Sequence, residues 1–147
     1  MLDRIPAVDN DAVILVIEDE PQEATLLLEA FRGRGFQHHI RVVGDGVEAM
    51  DYLLGRGKFE RRPQSPPTLI LLDLALPRMD GFEVLNELRQ DKWLKYVPVV
   101  VFTGAADDQK RLAALDRGAK FVIAKPKNMA DYDALAERIT NLLRFLE

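Results

Sequence analysis

Five short apolar runs punctuate the chain: VILVI at 13–17, HIRVV at 39–43, LILL at 69–72, VVVF at 99–102 and FVIA at 121–124. They are rich in β-branched residues and mostly continuous rather than alternating, the pattern of strands covered on both faces in a parallel sheet. Between them, apolar residues recur at helical spacing. Ala24, Leu27, Leu28 and Phe31 stand at i, i+3, i+4, i+7, and Val47, Met50, Leu53 and Leu54 repeat that rhythm. Val84, Leu85 and Leu88 mark a third helix, Leu112 and Leu115 a fourth, and Leu135, Ile139, Leu142 and Leu146 a fifth. The order β-α, five times over, predicts an open doubly wound α/β sandwich with right-handed crossovers. A closed eight-fold barrel would need far more chain.

A length of 147 residues suits a single domain, read as a lead-in over 1–12 and the folded unit over 13–147. The start, MLDRIPAVDND, has acidic residues and Pro where a secretory signal needs a basic start and an apolar core. No apolar run approaches the ~20 residues that span a bilayer, so a soluble, cytoplasmic protein is expected. The formal charge of −4 argues against a nucleic-acid or anionic-membrane footprint over the whole surface. Because there is no cysteine, disulfides, thiolate nucleophiles, Cys-ligated zinc and iron–sulfur clusters are excluded. Residues 55–67, GRGKFERRPQSPP, combine Pro, Gly and four basic residues against one acidic, and are read as a surface loop.

In a parallel sheet all strand C-termini share one edge, and ligands bind in the crevice there, at the point where strand order reverses. The residues just after the apolar runs are Glu18 and Asp19, Asp73, Thr103 and Lys125. Topology therefore brings three carboxylates, a hydroxyl and an ammonium to one rim. Three ionised carboxylates repel unless a cation joins them, and an all-oxygen donor set favours a hard ion such as Mg²⁺. Metal and Lys125 can neutralise phosphoryl oxygens while Thr103 donates a hydrogen bond, so phosphoryl transfer is the implied chemistry. Asp73 ends TLILLD and precedes LALPRMDG, whose Pro77 and Gly81 fix an unusual backbone path; it is the expected nucleophile, giving an aspartyl-phosphate. The donor can be a phosphohistidine on another protein or a small acyl phosphate.

An aspartate after a strand is often only a turn or helix-start residue, and Asp45, after the edge strand, is read that way. Glu20, before Pro21, is assigned to the start of the first helix. His38 and His39 fall on the opposite rim and receive no catalytic role, and Trp93 is expected to pack in its loop. At the other positions it is their convergence that sets the plainer reading aside.

The segments ILVIEDEP (14–21), DGVEAMDYL (45–53), LILLDLALPRMDGFEVL (69–85), VPVVVFTG (97–104) and GAKFVIAKP (118–126) resemble the receiver domain of two-component response regulators over nearly the whole chain. The resemblance implies a flavodoxin-like receiver fold with a five-stranded parallel sheet in the order 2-1-3-4-5 and five helices. It implies Glu18 and Asp19 as the acidic pair, Asp73 as phosphoacceptor, Thr103 as switch hydroxyl, Lys125 as phosphate-contacting lysine and the Ala75 carbonyl as a metal ligand. A cis Lys125–Pro126 bond is a further implication. More narrowly, the chain resembles the single-domain regulators partnered with bacterial phytochrome histidine kinases, which implies a histidine kinase as phosphoryl donor, no DNA-binding output domain and a homodimer through the fourth helix, fifth strand and fifth helix. Tyr132, Leu143 and Phe145 widen the last helix's apolar stripe to an arc of roughly 160°, difficult to bury in one domain.

Three departures stand out. Glu18 occupies a place where the family usually has Asp. Val122 occupies the usual switch-aromatic position, and Phe121, its neighbour, should point to the other face of the strand. Ala75 and Ala105, two residues after Asp73 and Thr103, cannot orient an attacking water, which implies slow loss of the phosphoryl group. A phosphatase of the haloacid-dehalogenase kind would need a second Asp where Ala75 stands. A flavin or dinucleotide binder would need a Gly-rich turn where EDEPQE stands. An interaction module that no longer takes phosphate would not keep the acceptor and all its charge partners. The expectation is a phosphoacceptor signalling protein, not an enzyme beyond its own phosphorylation and dephosphorylation.

Overall fold

The structure, a computed structural model, describes residues 14–35, 40–62, 65–104 and 107–146. Its elements alternate: β1 (Ile14–Ile17), α1 (Pro21–Arg32), β2 (Ile40–Val43), α2 (Gly46–Leu54), β3 (Leu69–Asp73), α3 (Gly81–Gln90), β4 (Val99–Thr103), α4 (Asp108–Asp116), β5 (Phe121–Ala124) and α5 (Met129–Leu146). The strands form one parallel sheet in the order β2-β1-β3-β4-β5. The chain moves outward to β2, then crosses back over β1 to β3, and this reversal opens a crevice above the C-terminal ends of β1 and β3.

Side-chain alternation splits the core in two. Leu15, Ile17, Ile70, Leu72 and Val101 pack with α2 and α3 on one face, and Ile14, Val16, Leu71, Val100 and Phe102 pack with α1 and α5 on the other. The three central strands are buried throughout, as their continuous apolar runs predict. The edge strands are not: β2 is half-buried for most of its length, and both ends of β5 are exposed.

The helices correct several sequence expectations. In α4, Leu112 and Leu115 are exposed and only Ala114 is buried, so the two leucines are no core stripe. In α5, Tyr132 and Leu143 do fit inside the domain, while Phe145 is left outside. Glu20 occupies the N-cap of α1, but its side chain makes no capping bond; the start is set by Pro21 at the first turn. Asp45 caps α2 by accepting from the Glu48 N–H, as read from the sequence. The loop over 55–67 is not wholly superficial, since Phe59 and Arg62 are buried and Arg62 stacks 3.9 Å over the Tyr52 ring. Trp93, by contrast, is exposed rather than packed. Residues 1–13, His38, His39 and Ala105 lie outside the described residues.

The β3–α3 loop is the most constrained connection. A Cβ at Gly81 would meet Leu74 Cα at 2.6 Å and the Asp73 carbonyl oxygen at 2.7 Å, and one at Gly46 would collide with the Met79 carbonyl. Arg78 adopts a left-handed φ of 65°, rare for a residue with a side chain, and is held there by paired hydrogen bonds to Asp45.

Candidate functional site

The five side chains expected on the rim come from four strand ends, and the structure gathers them at one end of the sheet: Asp73, Thr103 and Lys125 line one cleft, and Glu18 and Asp19 stand beside Asp73. Glu18 follows β1 directly; its N–H donates to the Val43 carbonyl at 3.0 Å, carrying the ladder one residue past the strand. Its side chain is folded inward, with Oε2 accepting from the Glu20 N–H at 3.0 Å. Asp73 closes β3 and is buried, and its Oδ1 accepts from the Ala75 N–H at 3.2 Å. Thr103 closes β4, buried, in the wall of a cleft of about 490 Å³ whose lining includes Asp73, Ala75, Phe82, Lys110 and Lys125.

Lys125 ties these ends together. Its N–H donates to the Thr103 carbonyl at 3.1 Å, which aims the side chain into the cleft. Its Nζ donates to Asp73 Oδ2 at 2.9 Å and lies 3.0 Å from both Glu18 Oε1 and Glu23 Oε1. The Lys125–Pro126 bond is trans, a correction to the expected cis bond: the backbone pairing to β4 already directs the lysine. Glu23, on α1, was not among the sequence-derived site residues. An acid five positions after Glu18, on the first turn of the next helix, was the available signal.

The electrostatics follow from this crowding. Burial, and then the charge of Asp73, push the Glu18 carboxyl up to about 7, against the lowering influence of the Glu20 N–H and Lys125. Burial disfavours the Lys125 ammonium, but its hydrogen bond to Asp73 and the adjacent carboxylates of Glu18 and Glu23 outweigh that and hold it above the usual lysine range.

Glu18, Asp19 and Asp73 each offer an oxygen within 4.8 Å of the others'. Glu18 Oε1 is buried without a hydrogen bond: Nζ, at 3.0 Å, pairs with it by charge but off hydrogen-bond geometry. An orphaned carboxylate oxygen beside two further carboxylates fits a hard divalent cation with oxygen ligands. On β5, Phe121 lines a groove with Ile123 and Phe145 against α5, while Val122 packs on the opposite core. Phe121 therefore cannot substitute for an aromatic at position 122, as side-chain alternation predicts.

Residues 14–139 match the family described as the response regulator receiver domain. Response regulator Rcp1 of Synechocystis sp. is 35% identical over 127 residues, covering 86% of this chain and 85% of its own. The crystal structure of the Mn²⁺-bound form of Rcp1 has a TM-score of 0.78 at 34% identity, with 87% of this chain and 91% of that chain covered. The phosphorylated cyanobacterial phytochrome response regulator RcpA likewise gives 0.78 at 35% identity, covering 86% and 89%.

Proposed function

The chain belongs to the response regulator receiver-domain family and is homologous to phytochrome response regulators, and from that premise we propose that it accepts a phosphoryl group onto Asp73 from a sensor histidine kinase in an Mg²⁺-dependent step. The observation that carries this reading is the position of Asp73, which lies beside Glu18 and Asp19, accepts from the Lys125 ammonium and lines an open cleft.

In the step, an Asp73 carboxylate oxygen attacks phosphorus in line, the new O–P bond forms as the donor's P–N bond breaks, and the leaving imidazole departs with the electron pair. Glu18, Asp19, Asp73 and the Ala75 carbonyl hold the cation, whose chemistry when bound is to neutralise the transferring oxygens. Lys125 supplies a second positive charge, and Thr103 donates its hydroxyl to a phosphoryl oxygen. An Mn²⁺-bound relative and the all-oxygen donor set support a divalent ion here. Ala75 itself offers no acid or amide to orient water beside the acyl phosphate, which supports a long-lived phosphoprotein.

The receiver unit, residues 13–147 after a lead-in over 1–12, acts in the cytoplasm as a switch or phosphorelay intermediate, catalysing only its own phosphorylation and dephosphorylation. Its kinase is of the bacterial phytochrome kind, a reading supported by the phytochrome regulators among its relatives. No helix among the described residues is long and apolar enough to cross a membrane. A homodimer through α4, β5 and α5 is supported by Leu112, Phe121 and Phe145, which are 65%, 43% and 89% exposed on those elements. Incubation with acetyl phosphate and Mg²⁺, read by intact mass, tests the assignment. One added phosphoryl group on the wild type and none on Asp73→Asn is expected; equal labelling of both would refute it.

A further inference from the structure

The three carboxylates around Lys125 Nζ are not equivalent. Asp73 and Glu18 come from strand ends, belong to the acidic trio and are buried, their side chains 2% and 0% exposed. Glu23 comes from α1, stands outside that trio, and its side chain is 30% exposed. Yet its Oε1 lies 3.0 Å from the ammonium, as near as Glu18. Glu23 thus touches the lysine without being one of the acids gathered for a cation.

An ammonium has three protons to donate, and here three carboxylates surround it. Phosphoryl oxygens arriving on Asp73 need the same donor, so one contact must be exchanged. Glu18 is fully buried and fixed within the acidic trio, whereas the partly exposed Glu23 can turn to water at little cost. Resting on the phosphoacceptor reading above, we propose that Glu23 is a positioning residue: it holds Lys125 over Asp73 in the resting state and is the partner given up when a phosphoryl group arrives, so the tie between α1 and Lys125 opens on phosphorylation.

The charge of Glu23 then acts with opposite sign on two ligands. Its negative charge favours a cation in the acidic trio and opposes an anionic phosphoryl group that competes for Lys125. Glu23→Gln keeps shape and an acceptor but removes the charge. It is expected to weaken Mg²⁺ binding, measured by calorimetry, by about threefold, and to strengthen beryllofluoride binding at saturating Mg²⁺, measured by ¹⁹F NMR, by about threefold. Glu23→Asp should return both toward wild type, and Glu23→Ala should shift both in the directions of Gln. A merely structural role for Glu23 would weaken both ligands together. Parallel weakening, or no change in either, overturns the assignment to Glu23 while leaving the phosphoacceptor reading intact. A wild type that takes up no beryllofluoride in Mg²⁺ overturns that reading and this one with it.

Discussion

At the scale of single residues, the site is a balance of like charges held by one ammonium. The raised Glu18 carboxyl means that the native state keeps a proton the unfolded chain has already released, between its ordinary value of 4.5 and about 7. Glu18's contribution to metal-free stability is therefore full below 4.5 and is lost as pH rises through about 7. Lys125 carries the same sign at far higher pH: its raised value keeps its contribution intact across that window, to be lost only in strong alkali. Because proton and cation compete for Glu18, Mg²⁺ affinity should tighten up to about tenfold between pH 6 and pH 8, which calorimetry at the two pH values checks. Glu18→Gln should remove most of that pH dependence, raise metal-free stability at pH 8 by about 1 kcal/mol, and weaken Mg²⁺. Unchanged pH dependence in the variant would mean that another group governs it. The rim positions of Glu18, Asp19, Asp73, Thr103 and Lys125 were legible because each stands one or two residues past an apolar run, so strand direction alone fixes its rim. Glu23 was not, since the reach of an acid on a helix surface depends on how that helix is rotated against the sheet.

At the scale of elements, the strands were readable and the helices less so. Continuous runs such as LILL can only be buried on both faces, and β1, β3 and β4 are. The edge position of β5 is not contained in FVIA itself, which is why its exposed ends escaped the pattern. In α4, two leucines three apart imitate a core stripe but face outward. The β3–α3 loop gives a sharper test. The backbone contacts that a Cβ at Gly81 would make at 2.6 and 2.7 Å cannot relax by rotating a side chain, so Gly81→Ala should destabilise by roughly 2 kcal/mol in urea unfolding. It should also reduce Mg²⁺ binding, because the same loop carries Ala75. The α3 capping box predicts a milder effect: Asp80→Ala loses the bond to the Glu83 N–H and should cost about 1 kcal/mol. Equal losses for the two variants would contradict this ranking.

At the scale of the whole molecule, the sheet acts as a collector: it gathers four strand ends distant in sequence, and α1 and α5 close one side around Lys125. Among the described residues, besides Trp93 and Tyr96 before β4, the face of α4, β5 and α5 is the apolar surface left exposed. If it pairs two copies, Phe121→Asp should shift sedimentation to the monomer with little loss of thermal stability, because the side chain is already 43% exposed; a destabilised monomer would point to an intramolecular role instead. Beneath every scale lies one claim, that Asp73 receives the phosphoryl group in a pocket completed by Lys125, Thr103 and the acidic trio. A crystal structure of the chain with Mg²⁺ and beryllofluoride addresses it most directly. The expected result is beryllium bonded to an Asp73 carboxylate oxygen, Lys125 Nζ and the Thr103 hydroxyl donating to fluorines, and the cation among Glu18, Asp19 and Asp73. Beryllofluoride on another carboxylate, or an Asp73 left unmodified at saturating ligand, would contradict it.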